Sequence, residues 1–587
     1  MYFLALATDY DGTIASDGEV SAETIAALEA FKRTGRKLIL VTGRRVESLK
    51  RVFPRVKLFD RIVAENGALL YDPATEEERT VAAAPSADLV ELLTRRGVTP
   101  LSVGKSIIAT FRPHETTVLE AIQELGLELQ IIFNKGAVMV LPANVNKATG
   151  LAAALEELEL SAHNVVGVGD AENDHALLKS CGCSAAVANA IASLAEGVDL
   201  RLAGRAGAGT VELMRRIEEE DIRLLPPERQ GLRLGTARSG EDVYLEPYPG
   251  AALIAGSSGV GKSTLATALT ERMAERGLEF CVFDPEGDYA ELEHAVSKGD
   301  AKTAPVPDEI LDVLRKLGAS VVVNTQALNL DERPEFFLKL LPQILSLRAR
   351  TGRPQWLVVD EAHHLLESRR SDVPGILPES IPATIYITVH PDAMAASALA
   401  GVEYVLALGP AAGKTIERFC ATIGIPVPER LPVPAADEVL FWSRSSGRAP
   451  FPVKVVKPKQ ARDRHKRKYA EGELDPDRSF YFRGRDGKLN LRAQNLMIFV
   501  QLAQGLDEDT WRFHREGGHY SQWFRDVIKD PELAAEAAGA EGDAALDAAG
   551  SRERIVAAVE RRYTASAEAP RNWREERNKP RPADAPV

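Results

Sequence analysis

The chain has 587 residues, of which 45% are hydrophobic and 27% charged, and a net charge of −13. At roughly 150 residues per domain, that length exceeds one domain, and the composition lets each part bury an ordinary core. The acidic balance excludes a general nucleic-acid or membrane-surface binder, while local phosphate sites stay open.

Residues 1–220 alternate short apolar runs, such as "KLILVT" (37–42) and "NVVGVG" (164–169), with amphipathic segments. In "SAETIAALEAFKRTG", Ser21 is placed to cap a helix and Gly35 to end it. The pattern predicts an α/β domain with a mainly parallel sheet. An inserted segment, about 85–141, predicts a compact α/β cap. The acid run and Pro226-Pro227 of 217–231 read as a boundary, followed by a hairpin in "LRLGTARSGEDVYLEP". A second α/β series is expected over 230–445, with strands in "AALIAG", "EFCVFD", "ASVVVN", "QWLVVD", "ATIYITVH" and "EYVLALG". Residues 446–476 read as a basic linker, with eight Lys/Arg against one Asp in 454–468. Residues 477–563 form a small aromatic-rich module, α+β or helical, and 564–587 are Pro-rich and charged, hence expected to be disordered.

The four cysteines, Cys181, Cys183, Cys281 and Cys420, form no C-x-x-C pair, and four in so long a chain make no disulfide framework. No basic n-region precedes the short apolar start, and no apolar stretch approaches the ~20 residues of a membrane span. A cytoplasmic protein is expected.

Four pieces in the first domain converge on one chemistry. "DYDGT" puts Asp9 and Asp11 after a strand, "VTGR" puts Thr42, Gly43 and Arg44 after another, and "GDAENDHALL" supplies Asp170 and Asp174 after a third. Lys147 opens the helix before that third strand. Four carboxylates in one pocket repel one another, and Mg²⁺ with a phosphate ester resolves the conflict. One carboxylate can then attack phosphorus, and a second, two residues away, can shuttle the proton. Lys147 and the Thr42 hydroxyl would stabilise the phosphoryl oxygens, with Gly43 and Arg44 beside them.

This set resembles the haloacid dehalogenase superfamily of phosphatases. The insert between Thr42 and Lys147 and the phrases "AENGALLYD" and "AVANA" resemble its Cof and sucrose-phosphate-phosphatase type. The resemblance implies a Rossmann-like core, Asp9 as nucleophile and Asp11 as general acid/base. It also implies Mg²⁺ held by Asp9, the Asp11 carbonyl and Asp170, with Asp174 in support. The substrate implied is a small, sugar-like phosphometabolite. Arg112, Asn134 and Lys135 are the polar cap residues to watch, with ordinary turn and surface chemistry as the alternative.

"LIAGSSGVGKSTL" is a phosphate-binding P-loop in its required strand–loop–helix setting. Gly256, Gly259, Val260 and Gly261 form the turn, Lys262 reaches the β/γ oxygens of ATP, and Ser263, followed by Thr264, ligates Mg²⁺. In "WLVVDEAHH", Asp360 is the metal-side carboxylate and Glu361 the candidate base for water. With "DPEGDY" (284–289), the set resembles the HerA–FtsK group of motor ATPases and implies a RecA-like domain. His390 stands where that group has a polar sensor. A homo-oligomer through this domain is one candidate assembly, and the group Arg348, Arg350, Arg353, Arg369 and Arg370 could hold an arginine finger, with a solvated surface as the alternative for most of them. Residues 250–440 carry 26 acidic and 17 basic side chains, net −9. That balance disfavours a DNA-threading channel. The sequence thus predicts a Mg²⁺-dependent phosphatase fused to an ATPase. A DNA-processing or defence motor with an accessory phosphatase and an ATP-gated switch or scaffold are the alternatives.

Overall fold

The computed structural model describes residues 1–134, 136–248, 250–368, 377–378, 380–459, 474, 479–485, 487, 489–528 and 530–563. Residues 1–459 form one compact unit and the remainder a second.

The first domain is built on an eight-stranded sheet. Its spatial order is Leu200–Arg201, Cys183–Ala186, Val165–Gly169, Ala5–Thr8, Lys37–Val41, Arg61–Ala64, Leu69–Tyr71 and Glu78–Thr80. The first six strands are mutually parallel, and the last two are added through antiparallel pairings. The central strands are buried on both faces, which is why they read as unbroken apolar runs. Ser21 caps the helix Ala22–Arg33 by accepting from the Thr24 N–H, and that helix buries Leu28 and Phe31. The cap is a four-stranded antiparallel sheet backed by the helices Ala87–Arg95 and Glu115–Glu124.

The second domain is an eleven-stranded sheet. Six parallel strands lie where the apolar runs predicted them, from Ala251–Ala255 to Val402–Leu408. The predicted hairpin, Leu232–Ala237 with Asp242–Leu245, does not stand apart. It joins the same sheet through Phe451–Val455. That strand corrects the linker, which was read as starting at 446. The charge run begins at Lys454, but within "FPVKV" the adjacent Pro452 and Val453 are both buried while Lys454 is exposed. Residues 460–468 of the charge run lie outside the described residues, as do the tail 564–587 and Lys135.

The two sheets meet at the N-terminal ends of their strands, through residues 2, 159–164, 248, 277–279 and 351–355. Their C-terminal ends therefore point apart.

The C-terminal unit pairs Phe480–Phe482 with Leu491–Ala493 and adds a set of helices. Phe480, Phe482, Trp511, Tyr520, Trp523 and Phe524 are buried together, with the Trp511 indole donating to Ser551 Oγ. The aromatic spacing thus supplies a core. Among the described residues no helix is long and apolar enough to cross a membrane.

Candidate active sites

Asp9 follows the Ala5–Thr8 strand directly and is buried. Asp170 follows Val165–Gly169, the neighbouring strand, so the two carboxylates share one strand-end crevice. Asn146 caps the helix Lys147–Glu157 with a reciprocal Thr149 bond, which fixes Lys147 as its first residue. Lys147 Nζ donates to Asp9 Oδ1 at 2.5 Å and to Asp174 Oδ1 at 2.7 Å. The other Asp174 oxygen accepts from the Asp170 and Ala171 N–H groups, at 3.0 Å each. Asp9, Asp170 and Asp174 offer oxygens that all lie within 4.8 Å of one another. Three hard oxygens at that spacing suit Mg²⁺.

Burial pushes the Asp9 carboxyl up to about 7; Lys147 opposes the shift, and Asp174 and Asp170 add to it. Burial alone would lower the Lys147 ammonium, but Asp174 and Asp9 hold it above its ordinary range. The cluster carries three acids on one cation, an arrangement that another positive charge completes.

Asp11 does not join the cluster with its carboxylate. Arg44 clamps it in a fork, Nε to Oδ2 at 2.7 Å and a terminal nitrogen to Oδ1 at 2.6 Å. Thr42 is buried, and its hydroxyl accepts from the Arg44 N–H. Gly43 faces the cap, where a Cβ would lie 3.7 Å from Met139 Sδ. Strand register places Ala109, Phe111, Ile132, Asn134, Ala137 and Met139 on that same cap face. Asn134 Oδ1 is buried there without a hydrogen-bond partner. Arg112 instead lies over the Phe133 ring.

Asn189 was not singled out in the sequence. Its Nδ2 donates to the Gly12 carbonyl at 2.7 Å and reaches Asp170 Oδ2 at 3.4 Å. It ties the Asp-rich turn to the third strand end, and "AVANA" was the only signal for it.

In the second site, the loop between Ala251–Ala255 and the helix Lys262–Glu275 turns on Gly259 and Gly261, both at positive φ. Val260 is wedged between Gly256 and Gly409, so it shapes the loop by packing. Lys262 Nζ donates to the Gly256 and Ser257 carbonyls at 3.0 and 3.1 Å. Ser263 and Thr264 open the same helix. Asp360 is buried at the end of Trp356–Val359; burial, Glu361, Asp288 and Asp284 raise its carboxyl well above the ordinary range.

Glu361 adopts a left-handed backbone, φ 43°, and its carboxylate lies 3.4 Å from His363 Nδ1. The same nitrogen is 3.1 Å from Thr388 Oγ1, which in turn accepts from the His390 N–H. Burial and the neighbouring His364, His390 and Lys262 lower His363 to about 4, so it is neutral near pH 7. His390 therefore reaches the Glu361 neighbourhood through Thr388 and the His363 ring, 5.6 Å away. His363, Thr388 and Asp284 were missed as site residues. Asp284 closes the "DPEGDY" turn by accepting from the Gly287, Asp288 and Tyr289 N–H groups.

Two arginine-finger candidates are overturned. Arg353 is wholly buried, and the buried Arg348 head group donates to the Pro354 and Pro382 carbonyls. Neither can reach across a subunit boundary. Arg350 is exposed, and Arg369 and Arg370 lie outside the described residues.

Residues 6–104 and 133–202 match the haloacid dehalogenase-like hydrolase family, and residues 251–373 match the central domain of helicase HerA. The first match holds Asp9, Asp11, Thr42, Lys147, Asp170 and Asp174; the second holds Lys262, Asp360 and Glu361. A phosphoglycolate phosphatase of Methanothermobacter thermautotrophicus is 28% identical over 222 residues, covering 36% of this chain and 97% of that protein. Phosphoglycolate phosphatase 2 of Saccharolobus solfataricus is 27% identical over 220 residues, covering 36% and 92%. The sucrose-phosphatase of Synechocystis, solved with sucrose and phosphate, shares 20% identity at a TM-score of 0.31, over 37% of this chain and 99% of that one.

Proposed function

We propose, for a chain that joins a haloacid dehalogenase-like hydrolase domain to a HerA central domain, that it hydrolyses a small phosphomonoester at Asp9 and ATP at Lys262. The observation that carries the first activity is Lys147, buried and bonded at once to Asp9 and Asp174. A lysine so placed opposes the rise that burial imposes on the Asp9 carboxyl and positions it for attack.

An Asp9 oxygen attacks phosphorus, the bond to the leaving oxygen breaks, and an aspartyl-phosphate forms. Asp11 gives the leaving oxygen its proton and then takes one from the water that hydrolyses the acyl phosphate. For this Asp11 leaves the Arg44 fork, and Arg44 becomes available to the phosphoryl oxygens. Lys147 and Thr42 flank those oxygens. Mg²⁺, held by Asp9, Asp170 and Asp174 with the Asp11 carbonyl, would supply the charge that neutralises the phosphate. The mostly apolar cap face with its one unpartnered Asn134 oxygen suits a small leaving group bearing a hydroxyl or similar donor. Phosphoglycolate and small sugar phosphates are the substrates to test first.

At the second site Lys262 would leave its loop carbonyls for the β/γ oxygens, and Ser263 and Asp360 would hold Mg²⁺. Glu361, set by His363, would orient the water.

Asp9→Asn is expected to abolish phosphate release from p-nitrophenyl phosphate, and Lys262→Ala to abolish ATP hydrolysis. Persistence of either activity removes the corresponding assignment. The HerA match favours one second reading, a DNA-processing motor, whose mark would be ATP hydrolysis stimulated by DNA.

A further inference from the structure

The joint between the two domains is built from the residues that precede their strands. Asn164, just before Val165–Gly169, donates to the Tyr2 carbonyl at 2.8 Å and accepts from Gln355 Nε2 at 3.3 Å. Gln355, just before Trp356–Val359, accepts from the Glu279 N–H at 2.8 Å. Gly352 has φ +77°, and a Cβ there would fall 2.1 Å from Asn164 Oδ1, so the close approach requires glycine. The Ser161 N–H donates to the Thr351 carbonyl, and His163 Nε2 meets the Gly277 carbonyl at 3.1 Å.

Arg353 lies at the centre. One of its terminal nitrogens donates to two carbonyls, Glu159 of the first domain and Arg315 of the second, at 3.1 Å each. Its Nε and other terminal nitrogen are buried without hydrogen-bond partners, and Glu279 lies 3.8 Å away. A buried guanidinium so poorly satisfied costs stability that an apolar side chain would not. What an apolar side chain cannot do is grip a carbonyl from each domain.

Glu159 stands just past the helix Lys147–Glu157, and the first residue of that helix is Lys147. Eleven residues make a stiff rod about 16 Å long. The second brace, Asn164, immediately precedes the strand that ends beside Asp170. Two of the phosphatase elements that carry catalytic groups, the Lys147 helix and the strand before Asp170, are thus held at their far ends by the P-loop domain. Misplacing a reacting group by about 1 Å can cost on the order of 100-fold in rate.

We infer that Arg353, contributed by the P-loop domain, is a positioning residue for the phosphatase reaction, acting through the Lys147 helix with Asn164 as its partner brace. This rests on the phosphatase reading above.

The test uses full-length protein, p-nitrophenyl phosphate and saturating Mg²⁺, well below each variant's Tm. Arg353→Met is expected to lower kcat about 10-fold, equivalent to ~1.4 kcal/mol, with KM changed less than about twofold. Arg353→Lys is expected to recover most of the loss, because an ammonium still donates to carbonyls. Asn164→Ala is expected to lower kcat about threefold. A purely structural role would lower Tm and leave kcat of the folded protein unchanged, and that result for Arg353→Met overturns the inference. If Arg353→Met does not fold, wild-type kcat in Asn164→Ala overturns it. Wild-type protein that releases no phosphate overturns the phosphatase reading and this one with it. Active wild type with insensitive variants overturns this one alone.

Discussion

The two sites handle the same problem, clustered carboxylates under a phosphate, in different ways. At the first, Lys147 is already seated between Asp9 and Asp174, so the chain itself neutralises part of the charge. At the second, Lys262 lies on loop carbonyls, and the groups acting on Asp360 are the acids Glu361, Asp288 and Asp284. The first site is assembled by folding, whereas on the proposed reading the second waits for nucleotide and metal. That difference follows from the partners, since both lysines are buried but one bonds carboxylates and the other neutral carbonyls. A lysine wholly enclosed among acids stays where folding puts it, whereas one that must reach a ligand has to be able to move.

The comparison is broken most directly by removing the two lysines in turn. Lys147→Met should abolish phosphate release and also cost roughly 3–5 kcal/mol of stability, because it leaves buried acids uncompensated. Lys262→Ala should abolish ATP turnover while costing only about 1 kcal/mol, the worth of hydrogen bonds to carbonyls. Urea unfolding alongside both assays would check this, and equal stability losses would erase the distinction.

The joint adds a pH signature. Burial pushes Glu279 up to about 7 from an ordinary 4.5, opposed by the Gly318 N–H and Arg353. Between those values the unfolded chain has released a proton that the folded one keeps, so stability falls as pH rises from about 4.5 to 7, by on the order of 3 kcal/mol. Glu279→Gln should flatten that part of a stability-versus-pH curve.

Next in size, Mg²⁺ with ATP at about 100 times its Kd should stabilise the chain by roughly 2.7 kcal/mol. Glu361→Gln should keep the shift in Tm while losing turnover, since binding precedes hydrolysis. The smallest effect sharpens the comparison from the phosphatase side. Asn189→Ala frees the Gly12 carbonyl and should slow phosphate release about 10-fold, or ~1.4 kcal/mol, with ATP hydrolysis unchanged.

The short-range features were legible in the sequence. Asp9, Thr42, Lys147, Asp170 and the P-loop each sit at a strand end or helix start, and apolar runs with capping residues mark such places. The partners of those residues were not legible. Nothing local says that Arg44 takes up Asp11, that Asn189 reaches back to Gly12, or that Thr388 joins His363 to His390. The strand Phe451–Val455 was hidden for a similar reason: its pairing with Leu232–Ala237, more than 200 residues earlier, has no local mark beside the basic residues that follow it.

Local pattern was thus enough for two α/β domains and for most of the residues now seen gathered at the two candidate sites. Motif spacing along one strand or helix is a local property, fixed by backbone geometry. That the domains join at the N-terminal ends of their strands, with Arg353 inside that joint, comes from long-range packing. A buried arginine and an exposed one have the same letter. Which it becomes depends on the carbonyls of Glu159 and Arg315, 194 and 38 residues away, being brought to its side.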